Sequence, residues 1–278
     1  MIELILYGGL GNQLFQYACA RSIQLESKNE PLIINTYLFN NYQFKPTLVH
    51  FNIPDNIIFK NKPRNFIRVI AEASRILGHN KLYELLCPFG ILIWRLNKYK
   101  EIELKTQDNY LYGYFQAEQF FEKYSIQIKN ELKIKHAPLD SIYYNRILNS
   151  NSVCIHIRRG DYIKNKMIIC DLSYYYKAVE IIKNRINNPT FFVFSDDIEW
   201  VKNNLLINGI VYVDEKNKDC NELALMYSCK HFIISNSTFS WWGQYLSNNQ
   251  NKVVIAPSKW MPYDKEKRDI YQKNWILI

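Results

Sequence analysis

The sequence lacks several features that would place it in a specialised class of protein. Its longest apolar run, residues 85–94, is interrupted by Pro88 and Gly90 and is too short to span a bilayer. The first residues have no basic segment and no small-residue cleavage site, so no secretory signal is expected. No internal repeat or low-complexity linker is present. The 278 residues therefore predict about two ordinary globular domains.

The cysteines include no Cys-x-x-Cys pair, and their scattered spacing gives no expectation of a structural zinc site. We interpret them as reduced, mostly buried thiols of a cytoplasmic protein. The six are Cys19, Cys87, Cys154, Cys170, Cys220 and Cys229.

The chain carries an excess of basic residues, with 35 Lys and Arg against 26 Asp and Glu and a net charge of +9. This balance favours an anionic partner, which could be a nucleic acid, a membrane surface or a phosphorylated ligand. No recognised DNA- or RNA-binding motif is present, so a nucleic acid is the less favoured partner. Residues 64–98 mix apolar and basic side chains and predict surface helices with a buried stripe. A peripheral contact with a membrane or a glycolipid acceptor is the alternative.

Strands and helices alternate along the chain with short connections, which predicts parallel sheets covered by helices. A change to very regular alternation near residue 150 predicts two α/β halves, 1–150 and 151–278, facing each other across a ligand cleft. The predicted strands are 2–7, 31–35, 110–115, 152–158, 190–195, 210–213, 231–235 and 252–256. The predicted helices are 12–28, 117–132, 139–148, 173–186, 198–205, 221–229 and 239–246.

The segment HIRRGDY at 156–162 is the strongest candidate for chemistry. Because side chains alternate along a strand, His156 and Arg158 share a face and reach its carboxyl end together, where α/β sheets bind ligands. Gly160 permits a sharp turn that brings Asp161 beside the arginines. A guanidinium at this place can hold a diphosphate with two hydrogen bonds, which makes Arg158 a catalytic candidate and Arg159 a donor-binding candidate. A surface ion pair of Asp161 with Arg158 or Arg159 is the alternative.

A second polar cluster, FSDD at 194–197, also follows an apolar strand. A carboxylate of Asp196 or Asp197 could accept hydrogen bonds from a guanine edge or from ribose hydroxyls. Capping of the next helix by Ser195 or Asp196 is an equally good interpretation. The cluster lacks the Asp-x-Asp spacing of many metal-dependent sugar transferases, so no metal cofactor is expected.

A third segment, SNSTFSWWG at 235–243, runs from a strand into a helix. Backbone N–H groups and hydroxyls at a helix N-terminus form a cradle for phosphate, which makes Asn236, Ser237, Thr238 and Phe239 donor-binding candidates. Simple capping by Ser237 or Thr238 is the alternative. The two tryptophans that follow are interpreted as packing residues.

Near the N-terminus, the glycine segment GGLGNQ at 8–13 has the wrong spacing for a dinucleotide fingerprint, and the chain has no P-loop motif. Gly9 and Gly11 would let the backbone approach a ligand, and Asn12 could hydrogen-bond the sugar or its diphosphate. A tight turn with an Asn cap is the alternative. Asp219 and Glu222 are interpreted as N-terminal charges of their helix, with a nucleotide contact as the alternative.

Together, GGLGNQLFQYA at 8–18, HIRRGDY, FSDD and SNSTFSWWG resemble glycosyltransferase family 11, the α-1,2-fucosyltransferases. The resemblance implies a GT-B-like α/β fold of two facing Rossmann-type halves, with the acceptor on the side of 1–150 and the GDP-sugar bound by 151–278. It implies inverting transfer of L-fucose from GDP-β-L-fucose to the 2-hydroxyl of a terminal galactoside, in an oligosaccharide or a lipid-linked glycan. It also implies that Arg158 holds the β-phosphate, that His156 and Asp196 lie near the guanosine, and that Ser237 and Thr238 bind phosphate.

A GDP leaving group must depart with its charge neutralised, and without a metal Arg158 and the helix at 238 would have to do this. Asp161 is nominated as the general base, and the competing role is orientation of an arginine. A GDP-fucose transferase of another linkage, such as α-1,6, is the first alternative function. A non-catalytic protein that binds a GDP-sugar or a nucleic acid is the second.

Overall fold

The structure is a computed structural model that describes residues 1–27, 30–41, 44–64, 66, 69–70, 79–94, 98–105, 108–215 and 219–278. Its contacts divide the chain into two compact units, Met1–Lys133 and Ile134–Ile278. Each unit contains a parallel β-sheet with helices, which confirms the prediction of two α/β halves.

The N-terminal unit is built on a five-stranded parallel sheet in the order β3-β2-β1-β5-β4. Its strands are β1 (Ile2–Ile5), β2 (Leu32–Asn35), β3 (Ile58–Lys60), β4 (Ile91–Trp94) and β5 (Asn109–Gly113). Its described helices are α1 (Leu10–Glu26), α2 (His79–Leu86) and α3 (Ser125–Glu131). Single 3₁₀ segments occur at Tyr37–Asn41, Leu48–His50, Cys87–Phe89, Glu118–Phe120 and Glu122–Tyr124. The central strand β1 is buried along its whole length, as a strand covered on both faces requires.

The C-terminal unit contains a six-stranded parallel sheet in the order β11-β10-β9-β6-β7-β8. Its strands are β6 (Asn151–Ile157), β7 (Pro189–Ser195), β8 (Val211–Tyr212), β9 (His231–Ile233), β10 (Val254–Ala256) and β11 (Ile276–Leu277). Its described helices are α4 (Tyr144–Leu148), α5 (Gly160–Lys164), α6 (Leu172–Lys183), α7 (Ile198–Asn204), α8 (Asp219–Ser228) and α9 (Thr238–Tyr245). This is the strand order of a Rossmann-type sheet, in which the winding direction reverses between β6 and β9.

One face of β6 forms the centre of the C-terminal core. Val153, Ile155 and Ile157 are buried together with apolar side chains of α6, including Ala178 and Ile182. The predicted alternation of side chains along this strand is therefore confirmed, and it leaves His156 on the opposite face.

Several predicted elements differ from the structure. The unit boundary follows Lys133 instead of residue 150, because α4 packs on α8 and β6 within the C-terminal unit. The predicted helix 139–148 is reduced to α4, and the predicted helix 117–132 consists of two 3₁₀ turns followed by α3. The short strands β3, β4 and β11 were not predicted.

The segment 64–98 is described only in part, since residues 65, 67–68, 71–78 and 95–97 lie outside the described ranges. Within it, β4 is a sheet strand where the sequence predicted surface helices. The membrane contact stays a prediction. No helix among the described residues is long and apolar enough to cross a membrane.

Candidate functional site

The carboxyl ends of β6 and β7 carry two arginine–aspartate pairs. Ile157 pairs with Ser195 at the end of these strands. The same offset continues beyond them: Arg158 Nη1 lies 3.1 Å from Asp196 Oδ2, and Arg159 Nε lies 3.0 Å from Asp197 Oδ2. The strand register itself therefore brings the HIRRGDY and FSDD segments together.

Arg158 is held by carboxylates from two directions. Its Nη2 lies 2.7 Å from Asp161 Oδ1, its Nε donates to the same oxygen at 3.0 Å, and the second partner is Asp196. Burial opposes the charge of Arg158, but Asp196 and Asp161 outweigh it and raise the pKa of the guanidinium above its ordinary value. The side chain is 29% exposed, so this fixed cation can still meet a ligand.

Arg159 turns away from Arg158 toward the start of α7. Its guanidinium carbon lies 3.4 Å from the centre of the Trp200 ring, a cation–π contact that accompanies its ion pair with Asp197. Asp197 is also the N-cap of α7 and accepts a hydrogen bond from Trp200 N at 3.3 Å. These contacts fix the loop, and the predicted contact of Arg159 with the donor stays a prediction.

The capping interpretation of the FSDD segment is wrong in its residue, because the N-cap of α7 is Asp197 and neither Ser195 nor Asp196. Asp197 caps α7, and Ser195 Oγ accepts a hydrogen bond from Asp197 N at 3.1 Å. Asp196 instead faces the other way, and its Oδ1 accepts from Arg159 N at 2.9 Å. Its second oxygen meets Arg158, as given above.

The SNST segment forms the N-terminus of α9 beside the end of β6. Ser237 is the N-cap and its hydroxyl accepts from Phe239 N at 3.3 Å, so the capping alternative is confirmed for this residue. Phosphate binding at this helix end stays a prediction. Thr238 opens the helix and is half-buried. Because β9 is the neighbour of β6, this helix end and Arg158 lie at the point where the strand order reverses, the usual ligand position of such sheets.

His156 lies buried between these two segments. Its Nδ1 is 2.9 Å from Ser235 Oγ, and its ring centre is 5.7 Å from that of Phe239. Burial, assisted by the charge of Arg158, lowers the pKa of His156 to about 3. The imidazole is therefore neutral near pH 7 and can act as a hydrogen-bonding group without adding charge.

The side chain of Asn236 holds neighbouring backbone segments together, and its predicted contact with the donor stays a prediction. Its Nδ2 donates to Met167 O and to Trp260 O, both at 3.0 Å, and these two bonds use both amide hydrogens. Tyr162 Oη donates to the Asn236 carbonyl at 3.0 Å, which ties α5 to the same loop. The interpretation of Trp241 and Trp242 as packing residues fits their complete burial.

Glu222, in the first turn of α8, adds an acid that the sequence pointed to only weakly. Burial, followed by the charges of Asp219 and Asp196, raises the pKa of Glu222 to about 7. An acid with such a pKa changes its charge near neutral pH, close to Arg158 and Asp196. Its signal in the sequence, an acid in a first helical turn, is shared with many residues that have no function.

The glycine segment shapes the end of β1 in the N-terminal unit. Gly8 adopts a left-handed conformation with a φ of 85°, and Gly9 is the N-cap of α1. Gly11 is buried within the first turn of α1. Asn12 Oδ1 accepts a hydrogen bond from Gln116 Nε2 at 2.8 Å, so a pair of neutral amides lies at this strand end.

Two glutamines of the same segment have structural roles that sequence reasoning missed. Gln16 donates to Tyr7 O at 2.9 Å and accepts from Tyr7 N at 3.1 Å, which satisfies both backbone groups after β1. Gln13 donates to Gly8 O and to Lys45 O, both at 2.9 Å. The spacing of these glutamines one helical turn apart was the available signal.

The predicted site residues thus fall into two groups, each within its own unit. Those of the C-terminal unit converge at the ends of β6, β7 and β9, while Gly9, Gly11 and Asn12 follow β1. In the described part of the chain, no cluster of three or more His, Cys, Asp or Glu residues could hold a metal ion. The structure describes all six cysteines, none of which is in a disulfide bond, and four of them are buried.

Known proteins resemble this chain along its whole length. The family model for glycosyl transferase family 11 matches residues 1–278. An O-antigen biosynthesis glycosyltransferase of Escherichia coli, WbnK, is 30% identical over 98% of this chain and 99% of its own. An α-1,2-colitosyltransferase of Escherichia coli is also 30% identical, over 98% of this chain and 97% of its own.

The crystal structure of the Bradyrhizobium α-1,6-fucosyltransferase NodZ, soaked with GDP-fucose, has a TM-score of 0.56 to this chain. The two are 14% identical, and the match covers 88% of this chain and 92% of NodZ. This likeness confirms the GT-B-like fold class, and the family model confirms the relationship predicted from the four segments. The chain is a glycosyltransferase and belongs to glycosyl transferase family 11.

Proposed function

We propose that this glycosyltransferase is an inverting galactoside α-1,2-fucosyltransferase. It transfers L-fucose from GDP-β-L-fucose to the 2-hydroxyl of a terminal galactoside in a glycan or lipid-linked precursor. The four segments resembling the α-1,2 family and the α-1,2 linkage in the name of a full-length relative support this linkage. The free thiols support the cytoplasm as its location.

One observation carries the proposal: Arg158 and the N-terminus of α9 lie at the carboxyl ends of the adjacent strands β6 and β9. A guanidinium and the N–H groups of a helix end are both complementary to a diphosphate. In the transfer, the bond between the fucose anomeric carbon and the phosphate oxygen breaks, and the electron pair leaves with GDP. Arg158, Ser237 and Thr238 stabilise that developing charge, and the proposal therefore needs no metal ion.

The acceptor hydroxyl must lose a proton as its oxygen bonds to the anomeric carbon. Asp161 is our candidate base. Its ion pair with Arg158 supports the competing role of orienting that arginine. In the first case, Asp161→Asn lowers kcat strongly and removes the acidic limb of the kcat–pH profile. In the second case, the profile keeps its shape and both kcat and the donor KM change.

The function is tested by incubating the protein with GDP-fucose and a panel of galactose-terminated oligosaccharides, in the presence and absence of excess EDTA. We expect α-1,2-linked fucose with an inverted anomeric centre, determined by NMR, and the same rate in both conditions. An α-1,6 product, or a complete loss in EDTA that added metal reverses, contradicts the linkage or the metal independence respectively.

A related donor is the second candidate, because one full-length relative is a colitosyltransferase. Competition between GDP-fucose and GDP-activated colitose in the same reaction decides between them. The ratio of the two kcat/KM values identifies the donor sugar.

A further inference from the structure

The carboxylate of Asp196 lies against three consecutive residues that follow β6, Arg158, Arg159 and Gly160, which we call the arginine loop. Its Oδ1 accepts from Arg159 N at 2.9 Å, just before α5 begins. Its Oδ2 lies 3.1 Å from Arg158 Nη1. Gly160 lies so close that a Cβ atom at that position would be 2.7 Å from Asp196 Oδ2.

We propose that Asp196 is a positioning residue that fixes the Arg158 guanidinium for the departing diphosphate. The proposal rests on the proposed function and adds to it the residue that orients the cation. Both oxygens of Asp196 already accept hydrogen bonds or ion pairs from the arginine loop. Both oxygens thus have partners in the arginine loop, and the closeness of Asp196 to the guanosine that the family resemblance implied stays a prediction.

Asp161 cannot supply this support alone. It lies three residues after Arg158 on the same loop and short helix, so the two can move together. Asp196 instead follows β7, whose pairing with β6 is continuous from Asn151 to Ile157. The Asp196 contact therefore fixes the position of Arg158 relative to the rigid sheet. A preorganised charge requires such a fixed position.

Gly160 provides an independent way to disturb the same contact. Ala at this position would force the Asp196 carboxylate away, because 2.7 Å is closer than a methyl group and an oxygen can approach. Gly160→Ala and Asp196→Asn are therefore expected to have the same kinetic signature although they change different residues.

The first experiment compares Asp196→Asn with Asp171→Asn. Asp171 is a matched control, since it also accepts from a backbone N–H at a helix start, that of Tyr174 at 2.9 Å, and its other side-chain partner is the hydroxyl of Ser173 instead of an arginine. We expect Asp196→Asn to lower kcat about 10–100-fold without raising the donor KM, since a cation displaced by about 1 Å loses transition-state stabilisation. Asp171→Asn should leave kcat unchanged, and both variants should melt within about 2 °C of each other.

An increase in donor KM with kcat unchanged would show direct donor binding by Asp196 and overturn the proposal. Unchanged kinetics in Asp196→Asn would overturn it as well. A common loss of activity and melting temperature would show a purely structural role. Gly160→Ala must reproduce the kcat effect at a normal melting temperature, and normal turnover in it would count against the proposal.

A double-mutant cycle with Arg158→Ala decides whether Asp196 acts through Arg158. We expect the double variant to be no slower than Arg158→Ala, and multiplicative losses would overturn the proposal. If the wild-type protein transfers no fucose, the proposed function fails, and the cycle is read from GDP binding by calorimetry. Asp196→Asn should then weaken the binding of GDP, because the β-phosphate of free GDP carries the charge that the intact donor develops only at departure. This effect should vanish in the Arg158→Ala background, and equal effects in both backgrounds would contradict positioning.

Discussion

The two units share an architecture, but they differ in the charge of the residues that lie where the strand order of each sheet reverses. In each, a central strand lies beside the strand where the winding direction reverses: β1 beside β5, and β6 beside β9. At the end of β1 lie the neutral amides of Asn12 and Gln116. At the end of β6 lie Arg158, its carboxylate partners and the N-terminus of α9. Similar sheets thus carry neutral polar groups at one strand end and charged groups at the other.

The units also fix their loops by different means. Gln13 and Gln16 hold the loop after β1 through buried amide bonds to backbone groups. The loop after β6 is held by ion pairs that continue the strand register. An amide supplies hydrogen bonds without a charge, whereas each arginine after β6 has a carboxylate that fixes its direction. The loop after β1 is therefore held by neutral hydrogen bonds, and the loop after β6 is held by ion pairs.

The largest expected effect tests the charged end. Arg158→Ala should lower kcat/KM for GDP-fucose about 10²–10³-fold, the usual loss for a donor that stabilises developing negative charge. Steady-state rates measure the effect. Arg146→Ala, which removes an exposed arginine of the same unit, is the matched control and should leave the rate unchanged. Near-normal turnover in a folded Arg158→Ala protein would show that the difference in charge between the units does not contribute to the reaction.

A smaller effect is expected at the neutral end. Asn12→Ala removes the acceptor of the Gln116 hydrogen bond and should raise the KM of the sugar acceptor about tenfold, the scale of one lost hydrogen bond. The dissociation constant of GDP, measured by calorimetry, should stay within about twofold of the wild-type value. Asn52→Ala, at an exposed position of the same unit, serves as the control. A selective loss of GDP affinity would instead give Asn12 the donor-binding role predicted from the sequence.

The sequence predicted the C-terminal unit well because short apolar strands there alternate with well-separated helices. The strand ends of β6 and β7 were placed within one residue, and the HIRRGDY and FSDD segments were each predicted to lie at the carboxyl end of a strand. The different partners of Arg158 and Arg159 could not be predicted in the same way. That Arg158 faces Asp161 while Arg159 turns to Trp200 depends on backbone angles after the strand, which adjacent identical residues do not reveal.

The N-terminal unit was harder to predict because its outer strands have weak patterns. Ile58 and Phe59 of β3 are exposed, so the strand lacks the buried signal that marked β1. The whole glycine segment resembled a ligand-binding loop in its sequence, yet the side chains of Gln13 and Gln16 donate hydrogen bonds to backbone carbonyls. Tertiary hydrogen bonds of this kind have no local periodicity in the sequence.

The smallest expected effect concerns Glu222, whose pKa of about 7 lies above its ordinary 4.5 because of burial and the charges of Asp219 and Asp196. Between these two pH values, the folded protein keeps a proton that the unfolded chain releases. The free energy of unfolding therefore falls as the pH rises from about 4.5 to about 7, and the lost stability is regained on acidification. Glu222→Gln cannot ionise and should not show this loss. At pH 8 it should melt about 2–4 °C above the wild-type protein, and at pH 4.5 the difference should disappear.

Scanning calorimetry across this pH range measures the effect, with Glu180→Gln as the control. Glu180 is a largely exposed acid of the same unit that pairs with Lys183, and its replacement should not change the pH dependence of the melting temperature. This pH effect also distinguishes the two units. The neutral end of β1 has no counterpart of Glu222 among its described contacts, so the pH effect should follow the C-terminal unit. Parallel melting curves for Glu222→Gln and the wild-type protein across the whole range would show that this acid ionises as freely in the folded protein as in water.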